Sequence, residues 1–332
     1  MTAKRFANNI EDMVAEGFSG FCAANSHLIK ASHSPRFAAR LLSPVQGKVA
    51  LVSGGGSGHE PLHIGYVGHG MLDATCPGEI FTSPTPDQIL AAAQAVHGGA
   101  GVLFIIKNYD GDVMNFEMAT EMLELRNASL IISDEVVPKD SGTSNARRGM
   151  AGTVIIEKLV GAAAQAGADL DACLKLGQGV NQTTRSMGLA LTSCVVPAAN
   201  HPTFEIGDDE VELGVGIHGE PGRRRQKLTN AQGLIEPIVN AICADLAPGP
   251  GADVLLHVNG FGGTPLLELY LVYNVAEVLC RDKGLNIVRS LVGNYTTCLD
   301  MAGCSITLSL MDDELLRLWD APVHTPVLRW GC

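Results

Sequence analysis

The sequence is short of charge, and shorter still of basic charge. Only 17% of its 332 residues are Asp, Glu, Lys or Arg, while 46% are hydrophobic, which excludes a disordered chain over most of the length. Lys and Arg number 23 against 35 Asp and Glu, a formal net charge of −12. A nonspecific grip on a phosphate backbone would work against that repulsion, so nucleic acid is not expected as a direct ligand. No uncharged apolar run reaches the roughly 18 residues of a membrane span. The N-terminal MTAKRFANNIEDMVAEGF carries acidic residues and lacks an apolar signal core, so the expectation is a soluble, cytoplasmic chain. The nine cysteines form no CxxC pair. Neither a zinc site nor a disulfide framework is read from them, and they are expected to be small core residues in a reducing compartment. A GxxxxGK string followed by Ser or Thr is also missing, which removes a Walker-type nucleotide site.

Glycine is what the sequence has in excess: 38 residues, against an average share of about 7%, with no G-X-Y period. Apolar runs that read as buried strands alternate with helix-like segments. The strands are 48–52, 102–106, 130–132, 254–258, 287–288 and 305–310, and the helices lie near 86–97, 115–126, 150–166, 265–282 and 312–318. This pattern predicts an α/β fold whose first half holds a largely parallel sheet flanked by helices. Val211, Leu213, Val215 and Ile217 alternate and predict an antiparallel strand. Length suggests two domains, here 1–185 and 186–332, with the C-terminal tail able to pack back on the first.

The glycines concentrate after predicted strands. Ligands of open α/β sheets bind beyond the carboxyl ends of strands, and two early strands run into polar, Gly-rich segments, Ser53 to Pro61 and Lys107 to Asp112. The Gly54–Gly58 stretch would let backbone amides approach a small oxygen-rich ligand; the plainer reading is a tight turn. His59 and Asp112 would supply an imidazole and a carboxylate for moving a proton on a hydroxyl, although a lone histidine is more often structural. Lys107 reads either as a ligand contact or as a solvated strand end. His218, with Gly216 and Gly219 beside it, reads as an accessible imidazole nucleophile. The GxGxxG match over Gly214–Gly219 runs into Pro221 and Gly222, where a dinucleotide motif needs helix, and is taken as chance. Asn259 to Pro265 is another Gly-rich turn, able to face a ligand or simply to pack. Arg223 to Lys227 is the single basic cluster, read as a solvated loop or as a surface facing an anionic group on a partner.

Together the strings GGGSGHEP (54–61), CPGEIFTSPTPDQI (76–89), IIKNYDGD (105–112), ARRGMAGTVIIEKLVGA (146–162), VGIHGEPG (215–222) and DAPVHTPVLRWG (320–331) resemble the substrate-binding K subunit of dihydroxyacetone kinases. They occur in family order and span nearly the whole chain. The resemblance implies a two-domain α/β subunit, usually homodimeric, that binds dihydroxyacetone or a related short ketose. It implies that His218 attacks the substrate carbonyl to form a hemiaminal, that Gly56, Ser57, Gly58, His59, Lys107 and Asp112 line the substrate, and that His59 and Asp112 share acid/base duty. Single-chain relatives append an all-helical nucleotide-binding domain. This chain instead looks like the K subunit of a split enzyme, binding no metal or cofactor itself. The expected partner is an L subunit carrying ADP or ATP with Mg2+, re-phosphorylated by a phosphotransferase-system protein or exchanging ATP. Longer family forms carry an additional segment between Gly222 and the GGTP turn. Three alternatives stand beside this reading: a dihydroxyacetone-binding transcriptional co-regulator, a kinase subunit for a four-carbon ketose such as erythrulose, and a fatty-acid-binding protein of related architecture, which the polar glycine loops disfavour.

Overall fold

The structure is a computed structural model that describes residues 4–136, 147–199, 201–220 and 222–332. Ala146 and Pro221, which belong to two of the strings above, lie outside the described residues. In chain order the elements are α1 (Met13–Ala24), β1 (Ile29–His33), β2 (Arg36–Arg40), β3 (Ala50–Ser57), β4 (Ala74–Ile80), α2 (Pro86–Val96), β5 (Val102–Lys107), α3 (Asp110–Met122), β6 (Asn127–Ile132), α4 (Gly152–Gln165), α5 (Leu170–Gln182) and β7 (Thr184–Ala190). They continue with β8 (Glu210–Leu213), β9 (Arg224–Lys227), α6 (Ala231–Leu246), β10 (Asp253–Gly260), α7 (Leu266–Asp282), β11 (Asn286–Gly293), β12 (Gly303–Leu310), α8 (Asp313–Asp320), β13 (Val323–His324) and β14 (Arg329–Trp330). The α/β expectation holds. Two compact units share these elements, one made of 4–132, 153–179 and 314–332, the other of 133–152 and 180–313.

In the first unit a six-stranded sheet has the order β1-β2-β4-β3-β5-β6. Strands β4, β3, β5 and β6 are parallel, whereas β1 and β2 add an antiparallel edge. The central strands β3 and β5 are buried at every position, which explains why they read as continuous runs rather than as alternation. Val52, Phe104 and Ile106 pack with Ile89, Ala92 and Ala93 of α2 and with Phe116 and Ala119 of α3. Helix α2 starts at Pro86, the expected start of the 86–97 segment: Gln88 Oε1 accepts from the Thr85 backbone N–H at 2.9 Å, and Pro86 occupies the first turn.

In the second unit the sheet order is β11-β10-β12-β7-β8-β9. Only β10 and β11 are parallel; the other pairs are antiparallel. Its core joins Val254, Leu256 and Val258 of β10 to Ile235, Ile238 and Ile242 of α6 and to Ile306 and Leu308 of β12.

Three local expectations change. The GGGS run is not a loop after a strand but the carboxyl end of β3 itself. The strand predicted through Ile217 stops at Leu213, because Gly214 takes φ +76° and donates its N–H to Gly188 O at 2.7 Å. Val215 and Ile217 are buried beyond the strand end, so their alternation reports burial without extended pairing. The basic run is not a solvated loop: Arg224–Lys227 forms edge strand β9. Arg223 reaches Glu135, Arg225 reaches Glu212, and Lys227 reaches Asp209, so three of its charges are met within the chain.

Candidate active site

The parallel pairing of β3 with β5, Ser53 opposite Ile105, brings their carboxyl ends side by side. Lys107 closes β5 and is fully buried. Its ammonium lies 3.3 Å from Asp112 Oδ2 and 3.4 Å from the Gly54 carbonyl. It also donates toward His63 Nε2 at 3.0 Å. Helix α3 begins at Asp110, five residues earlier than predicted, which puts Asp112 in the first turn rather than ahead of it. A carboxylate there is favoured by the helix dipole. Gly55 makes the arrangement possible: a Cβ on it would stand 2.2 Å from Lys107 Nζ and 3.5 Å from Asp112 Oδ2.

Behind Lys107 runs a buried relay that the sequence reading missed. His63 Nδ1 is 2.6 Å from Glu157 Oε1 and 3.0 Å from Ser53 Oγ, and Ser53 donates to Ile105 O at 2.6 Å. Burial pushes the pKa of His63 well down, helped by the nearby charges of Lys107 and His59. The ring is therefore neutral, and since its Nε2 accepts from Lys107 its proton sits on Nδ1, donated toward Glu157. Burial pushes the Glu157 carboxyl well up, against the pull of Lys107 and Ser53. One signal in the sequence could have exposed this pair. Glu157 and Lys158 interrupt an otherwise apolar helical run, and a buried charge requires a partner.

Among the other predicted residues, Gly56 and Ser57 hold the end of β3 against 78–82. A Cβ at Gly56 would fall 2.6 Å from Thr82 N and 2.7 Å from Phe81 Cα. The Ser57 hydroxyl donates to Gly78 O at 2.7 Å. Gly58 has φ +103° and donates to Glu60 Oε2 at 2.8 Å, a turn that only glycine enters without strain. His59 follows it, buried, with its ring stacked on Phe81 at a centroid distance of 5.0 Å.

His218 belongs to the other unit, on the loop after β8. Its backbone N–H donates to Glu220 Oε2 at 2.9 Å, and its Nδ1 lies 3.3 Å from Glu220 Oε1. A carboxylate only accepts, so Nδ1 is the donor, and in the neutral ring the lone pair is on Nε2. Arg148 holds the carboxylate from behind at 3.7 Å, while donating to Gly214 O at 2.9 Å and to Glu135 Oε2 at 2.8 Å. Gly216 leaves room for this cluster, since a Cβ on it would meet Glu220 Oε2 at 2.2 Å. Glu220 and Arg148 lie in two separate strings of the sequence, VGIHGEPG and ARRGMAGTVIIEKLVGA, and only folding brings them to the ring. Asn259, near the end of β10, ties the neighbouring loop to the sheet: its Oδ1 accepts from Tyr295 N and Thr296 N at 2.9 and 2.8 Å.

Burial alone would raise the Glu220 carboxyl. The His218 hydrogen bond and the charges of His218 and Arg148 outweigh it and hold the pKa at about 2, below the ordinary 4.5. Its contribution to stability is therefore complete above the ordinary value and is lost as pH falls toward about 2. Acid unfolding of the wild type and Glu220→Gln, followed by circular dichroism, is expected to show a stability gap that closes across that interval. A gap unchanged by acid would contradict this electrostatic origin.

No helix of the described residues is long and apolar enough to cross a membrane. A Dak1 domain model matches residues 19–327. The chain is 47% identical to the dihydroxyacetone-binding subunit DhaK of the PEP-dependent dihydroxyacetone kinase of Escherichia coli, over 99% of both chains. It is 43% identical to the corresponding subunit of a PTS-dependent dihydroxyacetone kinase of Listeria innocua, over 97% of this chain and 99% of that one. A D-erythrulose kinase of Mycolicibacterium smegmatis is 39% identical over 97% of this chain and 55% of its own length. Among solved structures, the dihydroxyacetone kinase operon co-activator DhaQ superposes with a TM-score of 0.89 at 31% identity, over 94% of this chain and 97% of that one. The dihydroxyacetone kinase of C. freundii superposes with 0.85 at 31% identity, over 98% of this chain and 60% of that one. A fatty-acid-binding DegV family protein of Thermus thermophilus, at 13% identity and 0.52 over 80% of this chain and 100% of that one, shares the fold alone. With the domain match nearly end to end and two full-length relatives above 40% identity, the chain belongs to the Dak1 family of dihydroxyacetone kinase K subunits.

Proposed function

We propose that this chain is the ketose-binding subunit of a dihydroxyacetone kinase and holds its substrate covalently on His218. The observation that carries the proposal is the His218–Glu220 contact, which leaves the ring lone pair on Nε2. That lone pair attacks the substrate carbonyl carbon, the C=O π pair moves to oxygen, and the oxygen takes a proton to complete the hemiaminal. The ring becomes cationic as the N–C bond forms, and its Nδ1–H stays on the Glu220 carboxylate, which stabilises that charge. A covalent anchor suits a substrate with little surface, and it selects a carbonyl over the plain alcohol of glycerol. His59 and Asp112 are the acid/base groups of the proposal, and the Lys107 ammonium is the donor to substrate oxygen. Gly56, Ser57 and Gly58 shape the strand end and turn that carry His59. The phosphoryl donor is a nucleotide with Mg2+ on a separate L subunit, recharged by a phosphotransferase-system protein or replaced by ATP exchange; the chain itself acts as a homodimer.

The test mixes the purified chain with an L-type subunit, a phosphoryl donor and either dihydroxyacetone or erythrulose, and follows the sugar phosphate. Product is expected only in the full mixture. Faster turnover of the tetrulose would make this an erythrulose kinase subunit, a reading favoured by the Mycolicibacterium relative. Turnover by the chain alone with ATP would overturn the split enzyme. Absence of product from the full mixture would favour a co-regulator, as the DhaQ likeness allows.

A further inference from the structure

Beneath the His218 loop two cysteines that the proposed chemistry does not use stand in sulfur–sulfur contact. Cys298 Sγ is 3.5 Å from Cys194 Sγ, and both residues are buried. Cys194 follows β7 in the irregular segment before β8, and Cys298 lies between β11 and β12, so neither sulfur hangs from a regular strand or helix. The Thr203 hydroxyl also touches Cys194 Sγ at 3.5 Å. Gly219, the residue after His218, packs directly on this pair: a Cβ there would lie 2.7 Å from Cys194 Sγ and 2.4 Å from Thr203 Oγ1. The two thiols therefore touch each other, and one of them, Cys194, lies against the loop that presents the imidazole.

We infer that Cys194 and Cys298 form a reversible dithiol–disulfide site, oxidised by hydrogen peroxide, whose closure displaces the His218 loop. The two thiols are not equivalent. The hydrogen bond from Cys298 pulls the Cys194 pKa down despite burial, and the same bond holds the Cys298 proton in place. Cys194 is thus the attacking thiolate and Cys298 the resolving thiol. Cys194 sulfur attacks one peroxide oxygen, the O–O bond breaks, and Cys194 becomes a sulfenic acid as one water leaves. Cys298 sulfur then attacks the sulfenic sulfur, the S–O bond breaks, and a second water carries off the oxygen and the remaining protons. The pair loses two electrons and two protons, and the peroxide gains them. Both sulfurs are buried, which is why the oxidant is one as small as hydrogen peroxide rather than a bulky disulfide.

Closure from the present contact to a bond of about 2.05 Å draws the sulfurs together by about 1.5 Å. Cys194 also touches Thr203 and lies against Gly219, so that movement alters the support under the loop. A shift of that size in the support of a reacting group costs about a hundredfold in reaction, which is the loss expected in ketose capture by His218. This consequence rests on the function proposed above; the dithiol itself does not.

Native full-length protein is treated with peroxide, quenched, alkylated, digested and mapped by mass spectrometry. A single link joining the Cys194 and Cys298 peptides is expected, reversed by dithiothreitol, absent from Cys194→Ser and Cys298→Ser, and retained in Cys332→Ser. Capture of dihydroxyacetone, read as added intact mass, falls about a hundredfold in the linked protein and returns on reduction. Full alkylation of both thiols after exposed Cys332 has reacted would overturn the site, as would sulfinic acid on Cys194 without a link. A link with undiminished capture would overturn its coupling to His218. Failure of the reduced protein to capture ketose would count against the proposed function instead, and the peptide map would still decide the dithiol. The map on wild-type protein also stands if a serine variant fails to fold.

Discussion

Replacing His218 with asparagine is expected to abolish covalent capture of dihydroxyacetone and to lower turnover with the L subunit by at least about a thousandfold. Asparagine keeps a polar group on the loop but has no nitrogen lone pair able to add to a carbonyl. What remains is noncovalent binding, and a triose offers too few atoms to be held tightly that way. The cost to the fold should be small, because His218 is partly exposed and Glu220 keeps Arg148 and the His218 backbone N–H as partners. Intact-mass spectrometry of the variant after incubation with ketose checks the first expectation, and coupled product assays check the second. Retained mass addition in His218→Asn would place the nucleophile elsewhere.

The second large effect is expected at Gly55. Alanine there places a Cβ 2.2 Å from Lys107 Nζ, well inside contact distance, and the ammonium has to move. It is the far end of a flexible side chain, so the strand need not part from its neighbours; overpacking of this kind costs about 1–3 kcal/mol. Function is where the damage falls. Lys107 can leave its place only by lengthening its contacts to His63 Nε2 and Asp112 Oδ2, now 3.0 and 3.3 Å. Misplacement of that order in a positioned group lowers turnover about a hundredfold. Gly56→Ala is the informative comparison, because its Cβ meets the backbone of Phe81 and Thr82, which yields less readily, and stability should fall further than for Gly55→Ala. Thermal unfolding with product assays separates the two: Gly55→Ala folded and inactive, Gly56→Ala destabilised. Full turnover in Gly55→Ala would remove Lys107 from the mechanism.

These two glycines also mark where reading the sequence stopped. The GGGSG run suggested backbone laid open to a ligand. In the structure Gly54, Gly55 and Gly56 are strand residues, lacking side chains because Cys76 O, Lys107 Nζ and the Phe81–Thr82 backbone occupy the space a Cβ would need. Composition and local pattern identify such glycines without saying which neighbour each accommodates, since those neighbours are distant in sequence. Glu157 is a similar case. Its place in an apolar helix was visible, but its partner His63 lies 94 residues away, and no spacing rule links them.

The sequence by itself determined the α/β class, the buried central strands, the start of α2, and the family, because those depend on local hydrophobic pattern, turn chemistry and long ordered strings. It also picked out His59, Lys107, Asp112 and His218 as residues of chemical interest. Tertiary structure alone decided the environments that give two of them defined states. Lys107 is held by Asp112 and by the His63–Glu157 relay, and the His218 tautomer is fixed by a carboxylate that Arg148 steadies. Protonation and orientation are set by burial and by charges within a few ångströms, and those distances exist only once the chain has folded.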